Sequence, residues 1–199
     1  KYFGAYFKAN IISALCFLIW DVIFTQIGVW GFSNKYTLGI EVVNLPLEEL
    51  LFFFCIPFAC IFTYHCLTIY SRIEWNKKFE NAFVIIFSLS IFLIGIINSK
   101  KLYTSVTFIS TAALLILFKF IFKVDWLPKI FSVYLLLLLP FFIVNGILTG
   151  TGLSEPVVWY NNSENLSIRL LTIPVEDIIY GFELIILTLF SYERFKSNQ

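Results

Sequence analysis

Six stretches of this chain, near residues 9–29, 46–70, 82–98, 102–122, 130–149 and 170–191, are long and apolar enough to cross the roughly 30 Å hydrocarbon layer of a bilayer as helices, some only marginally. That constraint leaves few architectures open. Of the 199 residues, 59% are hydrophobic and only 14% charged, where an average soluble domain has roughly 25% charged residues. The polar connections between the stretches are short. We therefore expect one all-α integral membrane domain over residues 1–199, a helical bundle of six transmembrane helices.

Charge then serves topology more than binding. At a net charge of +1 there is no basic field to recruit nucleic acid. Lys1, Lys8, Arg72, Lys77, Lys78, Lys119, Lys123, Lys129, Arg194 and Lys196 fall on one side of the bundle, and Lys35, Lys100, Lys101 and Arg169 on the other. The positive-inside rule makes the first side cytoplasmic, in a multi-pass protein of the cytoplasmic membrane. No signal-peptide pattern opens the chain, which starts at Lys1 and contains no Met. Cys16, Cys55, Cys60 and Cys66 lie inside apolar stretches, with no CxxC pair and no histidine at zinc spacing, and His65 has no ligand-spaced partner. We expect neither metal nor cofactor.

Two of the stretches open with the same signature. Pro46-Leu47-Glu48-Glu49 recurs as Pro174-Val175-Glu176-Asp177, and each copy puts two adjacent carboxyls where lipid should be. Adjacent helical residues point about 100° apart, so a pair offers one acid to each of two directions. The repeat extends further. Asp21, Thr25 and Gly28 match Asn145, Thr149 and Gly152 at an offset of 124, and the loop at 34–40 matches 162–168 at an offset of 128. Its unit is a helix, a loop containing tryptophan (Trp30, Trp159), and a second helix opening with the acids. Both copies run the same way through the membrane, a parallel internal repeat. The chain thus divides into a first repeat at 1–70, a connecting loop and helix at 71–101 and a second repeat at 102–199. Because the helix near 102–122 precedes the second unit, a counterpart is expected ahead of residue 9, giving a natural chain of seven helices.

Asp21 sits roughly 12 Å below the end of its helix, the depth at which Glu48, Glu49, Asn145, Glu176 and Asp177 also gather. Thr25 and Gly28 continue one polar stripe from Asp21, and Tyr180 and Glu183 continue one from Glu176. Such stripes face a bundle interior or a cavity. A single Pro-x-Glu reads most simply as a helix start, with proline at the first position and an acid complementing the dipole. Duplication, two acids per copy and Asp21 at the same depth favour a site. Trp30, Trp159 and Tyr160 fit an aromatic belt or substrate contacts.

The chain lacks GxGxxG, a P-loop and a G-x-S-x-G elbow, so it gives no support to nucleotide, flavin-fingerprint or serine-hydrolase chemistry. What remains is carboxyl chemistry in an apolar cavity. Burial and like-charge neighbours let one acid keep its proton while another stays ionised. With aromatic faces nearby to stabilise a cation, such a set suits acid-initiated rearrangement of an alkene.

The segments FLIWDVIFTQIGVWGF, NLPLEELLFFFCIPFACIFTY, FFIVNGILTGTGLSEPVVWYNN and TIPVEDIIYGF closely resemble the lycopene cyclase domain family of carotenoid biosynthesis. The resemblance covers nearly the whole chain and is to the fused form, each repeat being equivalent to one subunit of the heterodimeric members. It implies a redox-neutral isomerisation. An acid protonates the terminal double bond of a ψ end of lycopene, the neighbouring double bond attacks the cation, and loss of a ring proton leaves a β-ring, giving γ-carotene and then β-carotene. The motif acids fall on Glu48 and Glu49 and on Glu176 and Asp177. The resulting expectation is Glu48 or Glu176 as donor, Glu49 or Asp177 as its partner, and Asp21 completing the catalytic set. Asn145, Trp30, Trp159 and Tyr180 would contact the substrate. Expected partners are lycopene or a related linear carotenoid, membrane lipid, and other carotenoid-biosynthesis enzymes. A cyclase making ε- or γ-rings or acting on a longer carotenoid, and a proton-coupled membrane transporter, remain as alternatives.

Overall fold

The computed structural model describes residues 2–70 and 74–197. Its helices are α1 (Phe3–Gln26), α2 (Leu47–Tyr70), α3 (Lys77–Ile97), α4 (Leu102–Ile116, continued by a π-helical turn over Leu117–Ile121), α5 (Leu127–Leu148) and α6 (Val175–Ser197). Short strands lie in the two long loops: β1 (Trp30–Phe32), β2 (Glu41–Val42) and β3 (Leu45–Pro46) in the first, β4 (Val158–Tyr160), β5 (Arg169–Leu170) and β6 (Ile173–Pro174) in the second. Both loops join helices at the same end of the bundle, called here the loop side.

Five helices, α1 to α5, are long and apolar enough to cross a membrane. The sixth is 23 residues long but carries Glu176, Asp177 and Glu183, which are 0%, 3% and 4% exposed. Acids are costly against lipid, and α6 avoids that cost by lying inside the bundle, packed against α1, α2, α4 and α5. The expected bundle of six helices is therefore present, with one helix enclosed by the others. Ser13 of α1 and Thr188 of α6 join hydroxyls across a buried contact at 2.8 Å.

Several helix bounds differ from expectation. The first helix begins at Phe3, not near 9, and the third at Lys77, where the Asn76 side chain accepts from the Lys78 N–H and so caps the orphan donors. The sixth starts at Val175, not near 170, because residues 169–174 form a hairpin. At the end of α1, Gly28 takes a left-handed φ of +77°, its N–H bonds Thr25 O, and the Val29 N–H bonds Phe24 O. This paired closure is the Schellman motif. In α5 the same two bonds run from Gly150 to Ile147 O and from Thr151 to Gly146 O. Gly150, not Gly152, therefore does the work of Gly28, and α5 stops two residues sooner than α1.

The repeat extends to single backbone bonds. Leu47 N–H bonds Ile40 O, and Val175 N–H bonds Ile168 O. The hairpins β2–β3 and β5–β6 share one register, Glu41 facing Pro46 and Arg169 facing Pro174. Val43 and Leu171 both carry positive φ, 64° and 59°. Strands β1 and β4 pair antiparallel with Gly31 opposite Trp159. On either side, Asn161 N–H bonds Val29 O and Ser33 N–H bonds Val157 O, two bonds that exchanging the repeats interconverts. A local two-fold axis thus passes between Gly31 and Trp159, and the two loops close over the bundle as one lid.

Candidate functional site

Beneath this lid lies a cavity of about 370 Å³. Its walls are α2 (Glu49, Phe52, Ile56, Ala59, Cys60, Thr63), α5 with its C-cap (Tyr134 to Thr149) and α6 (Asp177, Tyr180, Gly181, Leu184, Ile185), with Asp21 from α1, Tyr103 from α4, and Trp30, Phe32, Val158 and Tyr160 from the strands. From Glu49 to Thr63 the α2 wall alone runs roughly 21 Å. Its carboxyls and Asn145 gather at the loop end, and beyond them the walls are mostly apolar, with Cys60, Thr63 and Tyr134 further in. This is the shape of a slot for an elongated apolar molecule whose tip meets carboxyls.

The two acids of each pair point in different directions, as their 100° separation requires. Glu48 leaves the cavity and accepts from Leu38 N–H at 2.6 Å. Its counterpart Glu176 accepts from Leu166 N–H at 2.7 Å and from the Thr104 hydroxyl at 2.6 Å. These first acids tie the 34–40 and 162–168 loops to the starts of α2 and α6, and neither is among the cavity-lining residues. The second acids, Glu49 and Asp177, do line it, together with Asp21.

The three cavity acids have unequal surroundings. Asp177 accepts from Tyr103 Oη at 2.6 Å, from Tyr160 Oη at 2.9 Å and from Asn145 Nδ2 at 3.2 Å. Burial first, and then the Asp177 carboxylate beside it, raise the Tyr160 phenol well above its ordinary pKa, so it stays a donor. Asp21 accepts from Trp30 Nε1 at 2.5 Å and from Thr25 Oγ1 at 3.3 Å on its Oδ1, while its Oδ2 is buried without a partner. Glu49 has no hydrogen-bond partner among the described residues. The repeat supplies the reason: of the donors to Asp177, Tyr160 and Asn145 have as their equivalents on this side Phe32, which has no hydroxyl, and Asp21, which has no N–H.

Four aromatic rings close the polar end. Tyr103 and Tyr160 stack at 5.9 Å, Trp30 meets Tyr103 edge-on at 5.0 Å, and Tyr180 lies 6.0 Å from Trp30 and 6.1 Å from Tyr103. Ring faces at such a site attract a cation.

Of the site residues named from the sequence, Asp21, Glu49, Asp177, Asn145, Trp30 and Tyr180 line this cavity. Glu48 and Glu176 stand behind them as loop anchors. Trp159 lies outside the cavity, covering Gly31 and 43% exposed, and its neighbour Tyr160 takes the inward place. Glu183 does not share the cavity with Tyr180 but turns toward α4, where the Ser110 and Thr111 hydroxyls each bond it at 2.9 Å. Tyr103 escaped the sequence reading. Its signal was the run of hydroxyls Tyr103, Thr104, Ser105, Thr107, Ser110 and Thr111 in an otherwise apolar helix.

No curated protein sequence and no solved structure matches the chain. The family model described as lycopene cyclase matches residues 1–67 and 100–195. The two matched blocks fall on either side of α3, and each holds one of the two Pro-x-Glu-acid helix starts. Carboxyls under an aromatic lid, in a cavity built jointly by those blocks, accompany a match over most of the chain, and the protein belongs to the lycopene cyclase family.

Proposed function

We propose that the protein cyclises the ψ ends of lycopene to β-rings, one end at a time, in the cavity beneath the lid that holds Asp21, Glu49 and Asp177. The observation that carries this reading is the unequal hydrogen bonding of Glu49 and Asp177. Donors to a carboxylate favour its charged form, and burial without donors favours the neutral one. Asp177, contacted by three donors, is the carboxylate of the site. Glu49, contacted by none, is the protonated acid.

The apolar slot between α2 and α5 takes the polyene, leaving its terminal double bond at Glu49. Glu49 gives a proton to that bond, and the tertiary cation so formed is attacked by the neighbouring double bond, closing the ring. The new cation lies among Trp30, Tyr103, Tyr160 and Tyr180 and near the Asp177 carboxylate. Asp177 then removes a ring proton, leaving the ring double bond. No electrons are exchanged with any other molecule, and the proton returns from Asp177 to Glu49. In this reading the roles within each pair are the reverse of the sequence expectation: the second acid reacts and the first, Glu48 or Glu176, holds the loop.

The test is the pigment made by lycopene-accumulating cells that express the protein. Cyclic carotenoid from the parent and retained lycopene with Glu49→Gln support the assignment. Undiminished cyclisation by Glu49→Gln would remove Glu49 as donor, and lycopene persisting with a membrane-inserted parent would remove the reaction itself.

A further inference from the structure

A second cavity, about 190 Å³, lies on the other side of Trp30 and Phe32 from the first and shares those two residues with it. Its mouth holds Asn34 and Glu41, both exposed, and its walls include Thr25 and Asn44. The mechanism above does not use it. Its inner end is nevertheless one hydroxyl away from the site, because Thr25 Oγ1 donates to Asp21 Oδ1. A hydroxyl both donates and accepts, so it can pass a proton along.

The second repeat offers an internal control. Asn44 Nδ2 bonds Val22 O, and its equivalent Thr172 bonds Gly146 O, so the frameworks superpose. The contents differ. In the second repeat Thr172 is closed off by hydroxyl contacts to Thr149 at 2.7 Å and Thr151 at 2.6 Å. In the first, Thr25 and Asn44 leave a void between them and Asn44 Oδ1 is buried without a partner. At the mouth, Glu41 of the first repeat corresponds to Arg169 of the second, so a carboxylate that draws protons stands where the other copy has a cation that repels them. The ionisable Asp21 likewise corresponds to Asn145, whose amide does not ionise at neutral pH.

We propose that this vestibule is a proton entry, through which Asp21 exchanges with water on the loop side by way of Thr25, and that the second repeat lacks the equivalent route. The inference rests on the cyclase reading. Each ring takes up one proton and releases one, so turnover needs no net supply. Exchange at Asp21 decides instead whether the hydrogen added to the substrate comes from solvent or is the one removed from an earlier ring, returned from Asp177 through the cavity acids.

The experiment is cyclisation of purified lycopene in vesicles holding the full chain, run in D₂O and read by mass spectrometry of the ring. With the vestibule working, the parent places one deuterium in each ring. Thr25→Val should lower the deuterium per ring severalfold, with protium retained from earlier turnovers, and Thr25→Ser should restore it. Asn44→Leu, which fills the void, should act like Thr25→Val. Equal deuterium in the parent and Thr25→Val rings would overturn the vestibule while leaving the cyclase intact. No cyclic product from the parent would overturn both.

Discussion

Gly31 of the first repeat lies opposite Trp159 of the second, and a Cβ at position 31 would overlap the Trp159 indole. The absence of a side chain at 31 is what lets the two loops meet on the local two-fold axis. Gly31→Val should cost about 1–3 kcal/mol, the usual penalty of overpacking. Because Trp159 is 43% exposed, shortening it removes the obstacle at little cost, and Trp159→Ala should return most of the stability lost. Thermal unfolding in detergent of the two single variants and the double variant reads this coupling. Additive losses would mean that the indole does not define the junction.

The two acids of a pair should separate by what they damage. Glu49→Gln should lower cyclisation by at least about 100-fold, the lower end of what a general acid supplies, with the fold unchanged. Glu176→Gln keeps an acceptor for Leu166 N–H and Thr104 but puts an amide NH₂ where Glu176 Oε2 is buried without a partner. Its cost should be about 1 kcal/mol in stability, with a smaller loss of cyclisation than Glu49→Gln. Product formation and melting temperature measured on both variants check the division. A larger catalytic loss from Glu176→Gln would restore the first acid as donor.

Tyr160→Phe makes the second repeat like the first, where Phe32 stands at that place. It removes the bond to Asp177 Oδ2 at 2.9 Å and leaves the ring stacked on Tyr103. Hydrogen bonds to a charged group contribute about 1.5–3 kcal/mol, so the cyclisation rate should fall roughly 10- to 100-fold. Tyr103→Phe with Tyr160→Phe should lower it further, since Asn145 alone would then hold the carboxylate. Initial rates from vesicle-borne lycopene measure both. An unchanged rate in the double variant would show that Asp177 needs no phenol.

How much of this was legible beforehand follows from what each feature depends on. Apolar length gave the helices, and the recurrence of Pro-x-Glu-acid gave the repeat and the neighbourhood of the site. Which acid of a pair turns inward did not follow, because it depends on where Leu38 and Leu166 present their N–H groups. The hairpins at 41–46 and 169–174 were hidden because their turns place Val43 and Leu171 at positive φ, where turn rules look for Gly, Asn or Asp. The enclosure of α6 was hidden because composition records that a helix holds acids, not that four helices surround it. Tyr103 sits on a helix with no described counterpart in the first repeat, so the repeat could not point to it.

Far from the cavity, Lys119 and Glu80 form an ion pair at 2.5 Å, their side chains 6% and 5% exposed. Glu80 lies in the first turn of α3 and Lys119 in the π-helical turn of α4, where Phe122 N–H bonds Leu117 O. The pair joins the helix between the repeats to the first helix of the second repeat. Removing one member of a buried pair strands the other charge and costs about 3–5 kcal/mol, whereas replacing both with apolar residues is often neutral or stabilising. Lys119→Met should therefore lower the melting temperature sharply, and Glu80→Leu with Lys119→Met should recover it. If the double variant melts as low as Lys119→Met, the loss comes from packing at the π turn and not from an uncompensated carboxylate. Recovery would show that the pair contributes little net stability and that its two charges are tolerated only together.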